Sequence, residues 1–593
     1  MLITQVKLEG FRNFKNATIN LTKKSLIIGS NEIGKSNLLH ALRILLDRTL
    51  SLADVEPQDS DFYVYEDTNE IRIQLKFEGV CEECVVAKLR EHVSDEGVMY
   101  LAYHATRDPN SKRKTYRFLV GRSPETLTDI ESNRFYLRVL NLKFIGSKRD
   151  LFSYIRRERR SLLQDAKGER TEEQIGEDNK MLGQIESKLD EVHESVSSLS
   201  YIGKATQSIN TELEQLSIKN VGQDVIFDTG ASDPSQFVDN LRLATRVGEK
   251  TLAVGGDGRN NQIHLALWAA RNRPMFETDE EPLEVSIFCI EEPESHLHPH
   301  QKRKLAGYLS DTLQAQVIIT THSPQIICGF PPASVIRLYD SKPETLAAGN
   351  GSSPFIEQAF IEFGYRLNII PAEAFFSSVA LLVEGPSEEL FFKALAEKIG
   401  VDLDRLNISV LMVDGVGFEP YISLFHSLKI DFVVRTDNDI FKVPQKNEYR
   451  FAGVQRGVNI YRIYFEKDED FEEILSDHEK NLQGFSTRQP PQENLESAQR
   501  IIEKLEDFNI YLAGVDLEND LKDSEISDAL GQFFDQIGED EIIAEMQKRK
   551  ATFMFDFLRH HSDSLARLRD NALAKPLLRC EQIASFNYDA RAD

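Results

Sequence analysis

The chain has 593 residues, of which 41% are hydrophobic and 28% charged, and it carries a formal net charge of −26. That length accommodates three or four domains at roughly 100–200 residues each, and no apolar run approaches the ~18–20 residues of a membrane span. The acidity opposes nucleic-acid binding without excluding it, because local patches and bound cations set the field that a phosphate meets.

The opening MLITQVKLEG lacks a basic stretch followed by an apolar core, so no signal peptide is expected. Five cysteines in a chain this long point to a reducing compartment, and a cytoplasmic location without membrane attachment is the expectation. Cys81 and Cys84 form a lone C-x-x-C. One pair cannot complete a four-ligand zinc site, so a structural role is expected for both. The basic clusters at 111–117, 155–160, 301–304 and 547–550 read first as solvated helix faces.

The first ~145 residues alternate short β-rich runs, such as IRIQLKF (71–77) and VMYLAYH (98–104), with turn signals. Within them, SLIIGSNEIGKSNLLHAL (25–42) reads as a strand, a glycine-bounded loop and a helix. Gly29 to Ser36 fit G-x-x-x-x-G-K-S. In that pattern backbone N–H groups cradle phosphates, Lys35 reaches the β- and γ-phosphates, and the Ser36 hydroxyl ligates Mg²⁺. Gly29, Asn31, Gly34, Lys35, Ser36 and Asn37 are therefore ATP-binding candidates.

From 150 to about 220 the chain is rich in Glu, Lys, Gln, Ser and Leu. Met181, Ile185, Leu189 and Val192 have helical spacing, which predicts a long helical insertion, a dimerisation element or spacer. AVGGDGRNNQIHLALWAA (253–270) is a glycine-rich turn leading into a helix. VSIFCIEEPESHLHPH (285–300) begins as a buried strand and ends in two acids. There Glu291 can hold the Mg²⁺ shell and Glu292 can orient and activate water. VIITTHSP (317–324) is another buried strand, placing His322 to sense a γ-phosphate. SKPETLAAGNGSSP (341–354) is a loop by composition, and a short helical connector is expected from Phe355 to about Tyr365.

These parts, in this order, resemble an ABC-type ATPase head of the SMC/RecF kind. The opening ITQVKLEGFRNFKN (3–16) is similar to that family's first strands, with Arg12 in the Phe-Arg-Asn-Phe setting. The resemblance implies ATP with Mg²⁺ held between two heads, each closing a glycine-rich signature over the other's nucleotide. Here Gly255, Gly256, Asp257 and Gly258 replace the usual Leu-Ser-Gly-Gly, with no serine to meet the γ-phosphate. Glu291 replaces the Walker-B aspartate and keeps its carboxylate. His296, His298 and His300 invite a metal reading, but their place directly after Glu292 fits the family's D-loop better.

A second cluster of acids lies further on. VALLVEG (379–385) reads as a buried strand ending at Glu384; Gly385 and Pro386 turn the chain into a helix with Glu388 in its first turn. KIDFVVRTDND (429–439) reads as a strand ending with Asp437 and Asp439, which would face the same way at i and i+2. Four acids at adjacent strand ends repel one another unless a cation neutralises them, and hard oxygen ligands suit Mg²⁺ or Mn²⁺.

This E…E…D-x-D arrangement resembles a Toprim domain, and a P-loop head followed by Toprim resembles the OLD (overcoming lysogenisation defect) nucleases. That resemblance adds a second metal position. YLAGVDLENDL (511–521) supplies Asp516 and Glu518, and KRKATFMFDFL (548–558) supplies the lysine, with Lys550 preferred to Lys548. Glu384, Asp437 and Lys550 are then the expected catalytic set; Glu384, Glu388, Asp437, Asp439, Asp516 and Glu518 are the expected metal ligands.

The expected fold is α/β. An ABC-type head (N-terminal lobe 1–149, C-terminal lobe 246–345) carries a helical insertion at 150–245. A linker at 346–375 leads to a Toprim domain with a C-terminal helical extension at 376–593. The expected function is a metal-dependent endonuclease acting on double-stranded DNA under an ATP-binding head. Within the OLD family the chain resembles the nuclease subunit of the Gabija anti-phage system, which implies a homo-oligomer built as a dimer of dimers and a UvrD-like helicase partner. A non-cleaving nucleotide-sensing scaffold and an RNA-directed Toprim nuclease are the alternatives.

Overall fold

The computed structural model describes residues 1–130, 134–146, 163–164, 166–168, 170–216, 244–247, 250–253, 263, 284–295, 297–312, 314–341, 343–352, 372–413, 417–534 and 538–589. The signature-like glycines at 255–258, His296 and the expected connector at 355–365 lie outside the described residues. Two compact units emerge: one comprises Met1–Ser147, Glu281–Glu294 and Pro299–Asp593, the other Lys148–Glu280 and Ser295–His298. The head and the Toprim segment thus fall in one unit, and 246–280 groups with the insertion instead of with the head.

The larger unit opens with an antiparallel sheet in the order β2-β1-β4-β5-β6-β7. Its strands are β1 (Leu2–Phe11), β2 (Phe14–Asn20), β4 (Glu70–Glu78), β5 (Met99–Arg107), β6 (Lys114–Gly121) and β7 (Thr128–Asp129). Alternation builds it. In β4, Ile71, Ile73, Leu75 and Phe77 point into the core, whereas Glu70 and Arg72 are exposed, the two-residue period of a half-buried strand.

A second sheet follows the order β14-β13-β3-β12-β11-β8. It contains β3 (Lys24–Ile28), β8 (Leu140–Ile145), β11 (Val285–Glu291), β12 (Val317–Thr320), β13 (Val335–Ser341) and β14 (Glu344–Ala347). All its pairings are parallel except β13 with β14. Its central strands are continuous apolar runs, as a sheet covered on both faces requires; every residue of β12 is buried.

β14 corrects the expected loop at 341–354. Thr345 and Ala347 alternate inward, and the Thr345 N–H donates to Asn13 O at 3.0 Å. The polar composition hid that alternation. The head then continues beyond the expected boundary at 346: Ala348 is buried, and Gly351 bridges Asn20 so closely that a Cβ there would lie 2.6 Å from the Asn20 backbone.

In the smaller unit, helices span Glu172–Ser197 and Ser200–Leu216, and β9 (Ala244–Val247) pairs with β10 (Lys250–Ala253). The first helix opens with a capping box between Thr171 and Gln174. Its half-buried face is Leu182, Ile185, Leu189 and Val196. Met181 and Val192, expected on that face, are 65% and 53% exposed, so the stripe is rotated from its predicted position.

The Toprim segment forms a parallel sheet in the order β16-β15-β17-β21, from β15 (Val379–Val383), β16 (Ile408–Met412), β17 (Asp431–Thr436) and β21 (Ile510–Leu512). Beside it lies a small antiparallel sheet of β18 (Ile440–Lys442), β19 (Tyr449–Phe451) and β20 (Gln483–Phe485). β15 is buried along its whole length. Phe553, Phe557, Leu565 and Leu577 from the C-terminal helices join Val379 and Leu381 in one core. Among the described residues no helix is long and apolar enough to cross a membrane.

Candidate nucleotide and carboxylate sites

The loop between β3 and the Lys35–Leu46 helix is shaped by two glycines. Gly29 has φ 148 and Gly34 φ 99, backbone that side chains rarely adopt. A Cβ on Gly34 would lie 2.1 Å from Asn13 Nδ2, and one on Gly29 would lie 2.7 Å from Leu338 O. Asn13 is the brace. Its Nδ2 donates to Ile33 O (2.9 Å) and Thr345 Oγ1 (2.7 Å), and its Oδ1 accepts from Asn37 Nδ2 at 2.7 Å. Arg12 donates to Asn37 Oδ1 at 2.8 Å and to Asp61 Oδ1 at 2.9–3.0 Å. Asn13, Asp61 and Thr345 were not singled out from sequence, although Asn13 sits inside the Phe-Arg-Asn-Phe motif.

A cavity of about 210 Å³ brings together Asn31, Gly34, Lys35, Ser36, Asn37, Glu291, Glu292 and His322. Lys35 Nζ donates to Gly29 O (2.9 Å) and Ser30 O (2.7 Å). Burial pulls its pKa down to about 8 against the pull of Glu292 and Glu291. Ser36 Oγ donates to Glu291 Oε1, so the hydroxyl and the carboxylate expected to share a cation are neighbours. Glu292 holds a left-handed φ of 45, uncommon outside glycine.

His322 Nε2 is 3.6 Å from Glu292 Oε1. Burial, aided by Lys35, lowers its pKa to about 4, so the imidazole is neutral at pH 7. Glu294, missed from sequence, stands behind it. Its Oε1 accepts from Thr321 Oγ1 (2.5 Å) and the His322 N–H (3.0 Å), while its buried Oε2 has no hydrogen-bond partner among the described residues.

In the Toprim segment Gly385 caps the Pro386–Ile399 helix, with Pro386 in the first turn as the Gly-Pro turn predicted. Glu388 lies in that turn, 4% exposed. Its Oε2 accepts from the N–H groups of Glu384 (2.5 Å) and Gly385 (3.2 Å); its Oε1 is buried without a hydrogen-bond partner among the described residues. Glu384 Oε1 accepts from Thr436 Oγ1 (2.6 Å), the Asp437 N–H (2.9 Å) and Arg456 Nη1.

Asp437 and Asp439 are not on a strand. β17 ends at Thr436, and both acids lie in the loop beyond it, because Ala452 N–H donates to Asp439 O at 2.8 Å and bends the chain toward the small sheet. Arg456 Nη2 is 3.5 Å from Asp439 Oδ2. Among the described residues Asp437 Oδ1 is buried without a hydrogen-bond partner. Burial, then Glu388 and Glu384, push the Asp437 carboxyl up to about 8. Burial does the same to Glu388, up to about 7, with Glu384 adding to it and Arg435 opposing. The acids therefore feel one another across one crevice at the carboxyl ends of β15 and β17, where open parallel sheets bind ligands.

They do not form a finished cage: among the described residues no three His, Cys, Asp or Glu side chains are gathered as metal ligands. The donor set still fits a hard divalent cation, since two of its buried carboxylate oxygens find no hydrogen bond among the described residues and the donors are all oxygen.

Asp516 caps the Leu517–Lys522 helix through Oδ1, which accepts from the Asn519 N–H at 2.9 Å, and its Oδ2 accepts from Gln547 Nε2 at 2.6 Å. Glu518 is 2% exposed and its Oε2 is 4.0 Å from Lys550 Nζ. Lys550 sits at a break in the Glu539–His561 helix. Burial works against its charge, but Glu518, Asp437, Asp516 and Glu388 together raise its pKa. Lys548 is 70% exposed and pairs instead with Glu545. Sequence reading also missed Arg435, only 3% exposed, whose Nη2 donates to Asp520 Oδ2 at 2.5 Å while Asp520 Oδ1 accepts from the Gly514 N–H at 2.9 Å. This pair, buried at Arg435 and half-buried at Asp520, ties β17 to the loop that carries Asp516.

Residues 1–327, more than half of the chain, match the family model described as AAA ATPase domain. The chain belongs to that family. Beyond this AAA ATPase domain, residues 375–439 match the model described as overcoming lysogenization defect protein-like, TOPRIM domain, so the E…E…D-x-D segment is Toprim in fold. Among curated relatives, the Endonuclease GajA of Bacillus cereus is 24% identical over 580 residues, covering 95% of this chain and 96% of the relative. The OLD nuclease of Thermus scotoductus is 25% identical over 473 residues, covering 75% and 83%. The solved SMC head bound to the C-winged helix domain of ScpA aligns over 58% of this chain and 97% of its own, at 15% identity and a TM-score of 0.36. The Toprim match ends at Asp439, so Asp516, Glu518 and Lys550 rest on geometry and on the resemblance that first pointed to them.

Proposed function

We propose that this AAA ATPase–Toprim chain is a divalent-metal-dependent endonuclease that cuts double-stranded DNA under control of its nucleotide-binding head. Endonuclease activity agrees with the two nuclease relatives and the two domain types in one chain. The observation that carries the reading is the crevice where buried, unpartnered oxygens of Glu388 and Asp437 lie within electrostatic reach of Glu384 and Lys550. A scaffold has no use for carboxylates held at such a cost in repulsion and desolvation.

In this mechanism Glu384, Glu388, Asp437 and Asp439 hold one cation, and Asp516 with Glu518 a second, Mg²⁺ or Mn²⁺ in each case. The ions supply Lewis acidity toward the phosphodiester and toward water. Glu388 is locked by the Glu384 and Gly385 N–H groups, which fix its free oxygen. Arg435 offsets part of the acid repulsion from beneath. Lys550, kept protonated by its acidic neighbours, faces the phosphate and neutralises charge that grows on it as the bond breaks. In the head, Lys35 and the loop N–H groups bind the nucleotide phosphates, Ser36 and Glu291 hold its Mg²⁺, Glu292 orients water and neutral His322 senses the γ-phosphate.

The setting proposed is anti-phage defence in the cytoplasm, as a dimer of dimers beside a UvrD-like helicase. The test is incubation with supercoiled plasmid, linear duplex and tRNA, with Mg²⁺ or Mn²⁺ and with or without ATP. Metal-dependent cutting of plasmid or duplex, stopped by chelator, is expected. Persistence of every substrate would favour a scaffold, and loss of tRNA alone an RNA-directed nuclease.

A further inference from the structure

Two side chains of the head hold the short segment that leads into β15. The His322 ring stacks on Phe376, with centroids 6.1 Å apart and planes 30° from parallel. Phe376 closes the Ala372–Phe376 turn, and β15 begins at Val379. Arg337, half-buried on β13, donates through Nη1 to Leu428 O and Lys429 O, both at 2.7 Å, and through Nη2 to Ser377 O at 3.4 Å. Both head residues adjoin the nucleotide loop. His322 lines the 210 Å³ cavity, and Arg337 is in register with Ile28, the residue before Gly29.

What lies at the other end of β15 is Glu384. The strand between is buried throughout and paired on both edges, by β16 and β17. Such an element moves as a body, because a close-packed interior does not absorb a shift by deforming. Leu428 and Lys429, gripped by Arg337, are separated only by Ile430 from β17, which ends beside Asp437. A change at His322 therefore has a short physical route to both candidate catalytic acids, with Phe376 as its first member outside the head.

We propose that Phe376 is the positioning residue that couples nucleotide occupancy of the head to the carboxylate crevice, through its stack on His322 and the stiff strand β15. This rests on the nucleotide and carboxylate sites assigned above. The aromatic face is what matters: a flat ring follows the imidazole as it shifts toward or away from a γ-phosphate, and a flexible aliphatic side chain of similar bulk does not.

The experiment uses full-length wild type, Phe376→Leu and Phe376→Tyr, with ATP and a non-hydrolysable ATP analogue as probes. Phe376→Met stands in if the leucine variant fails to fold. Three quantities are read: analogue affinity by calorimetry, hydrogen exchange across 377–384 with and without analogue, and the ratio of plasmid cleavage rates with and without ATP. Wild type and Phe376→Tyr are expected to show a nucleotide-dependent exchange change and a rate ratio of about 5-fold or more in either direction. Phe376→Leu is expected to bind the analogue with unchanged affinity and cleave at the basal rate, with both responses lost. A Phe376→Leu variant that responds as wild type does overturns the proposal, and so does wild-type exchange at 377–384 that ignores nucleotide. Failure of the nuclease reading is distinct. It appears as no cleavage under any condition, and a wild-type exchange response that vanishes in Phe376→Leu would then still support the coupling.

Discussion

At the scale of single residues, the crevice is defined by charge that burial makes expensive. Lys550 meets Glu518 at 4.0 Å and Lys548 faces solvent at 70% exposure. Lys550→Ala is therefore expected to lower the cleavage rate by about 10²–10³-fold, the usual cost of removing one preorganised stabilising group, with Lys548→Ala near wild type; steady-state cleavage of plasmid checks both. Protons supply a second handle. Asp437 and Glu388 are raised to about 8 and about 7 by burial and mutual repulsion. A folded carboxyl above its unfolded pKa of ~4 binds more protons than the unfolded chain, so its contribution to stability falls as pH rises through 8. Cation binding must displace those protons, so Mn²⁺ affinity should climb from pH 6 to pH 8, and titration calorimetry in buffers of different ionisation enthalpy should show proton release. Asp437→Asn should abolish the part centred near 8. Affinity flat over that range would contradict the assignment. Glu384 and Glu388 are legible as acids at element ends, whereas Lys550, inside the Glu539–His561 helix, was reached only through the OLD resemblance. Arg435 and Asp520 were not legible, since their ion pair is made by two segments meeting and neither residue has a local signal.

Elements show where pattern sufficed and where it failed. The strand–loop–helix at 25–42 was legible because Gly29 and Gly34 obey a backbone requirement that the structure displays as φ 148 and φ 99. Gly34→Ala places a Cβ 2.1 Å from Asn13 Nδ2, so analogue affinity should fall at least about tenfold, and melting temperature should drop through strain of ~1–3 kcal/mol. Wild-type affinity in that variant would refute the role of Asn13 as the loop's brace. β14 was missed because polar and small residues masked its alternation. The stripe on the Glu172–Ser197 helix was misplaced because Met181 and Val192 are apolar yet solvent-facing, and hydrophobicity alone does not say which of two overlapping faces is covered. Asp437 and Asp439 were read as strand residues because the turn begun by Asp439 O is set by Ala452 N–H, a partner distant in sequence. The Arg435–Asp520 pair joins β17 to the Gly514 loop, and Asp520→Asn takes one carboxylate from the buried Arg435 guanidinium, which keeps Thr436 O and the nearby charges of Glu388 and Asp437. That change is expected to cost about 1–3 kcal/mol, read as a lower denaturation midpoint with unchanged slope.

For the whole molecule, the head and Toprim sheet lie in one compact unit, whereas the sequence divided them with a linker at 346–375. Composition marks a linker by its polarity and cannot report that 346–352 packs back on β2. One unit holding a nucleotide cavity and an acidic crevice gives the proposed control of one by the other a physical basis, and Lys35→Ala should abolish nucleotide binding and with it any ATP effect on cleavage. The central claim is narrower than that coupling: carboxylates at the ends of β15 and β17 bind the cations that cut DNA. Equilibrium Mn²⁺ binding and plasmid cleavage, measured side by side on folded wild type, Glu384→Ala and Asp437→Ala, test it most directly. Loss of cleavage together with weakened Mn²⁺ binding in both variants is predicted; a variant that binds Mn²⁺ and cuts plasmid as wild type does would contradict it.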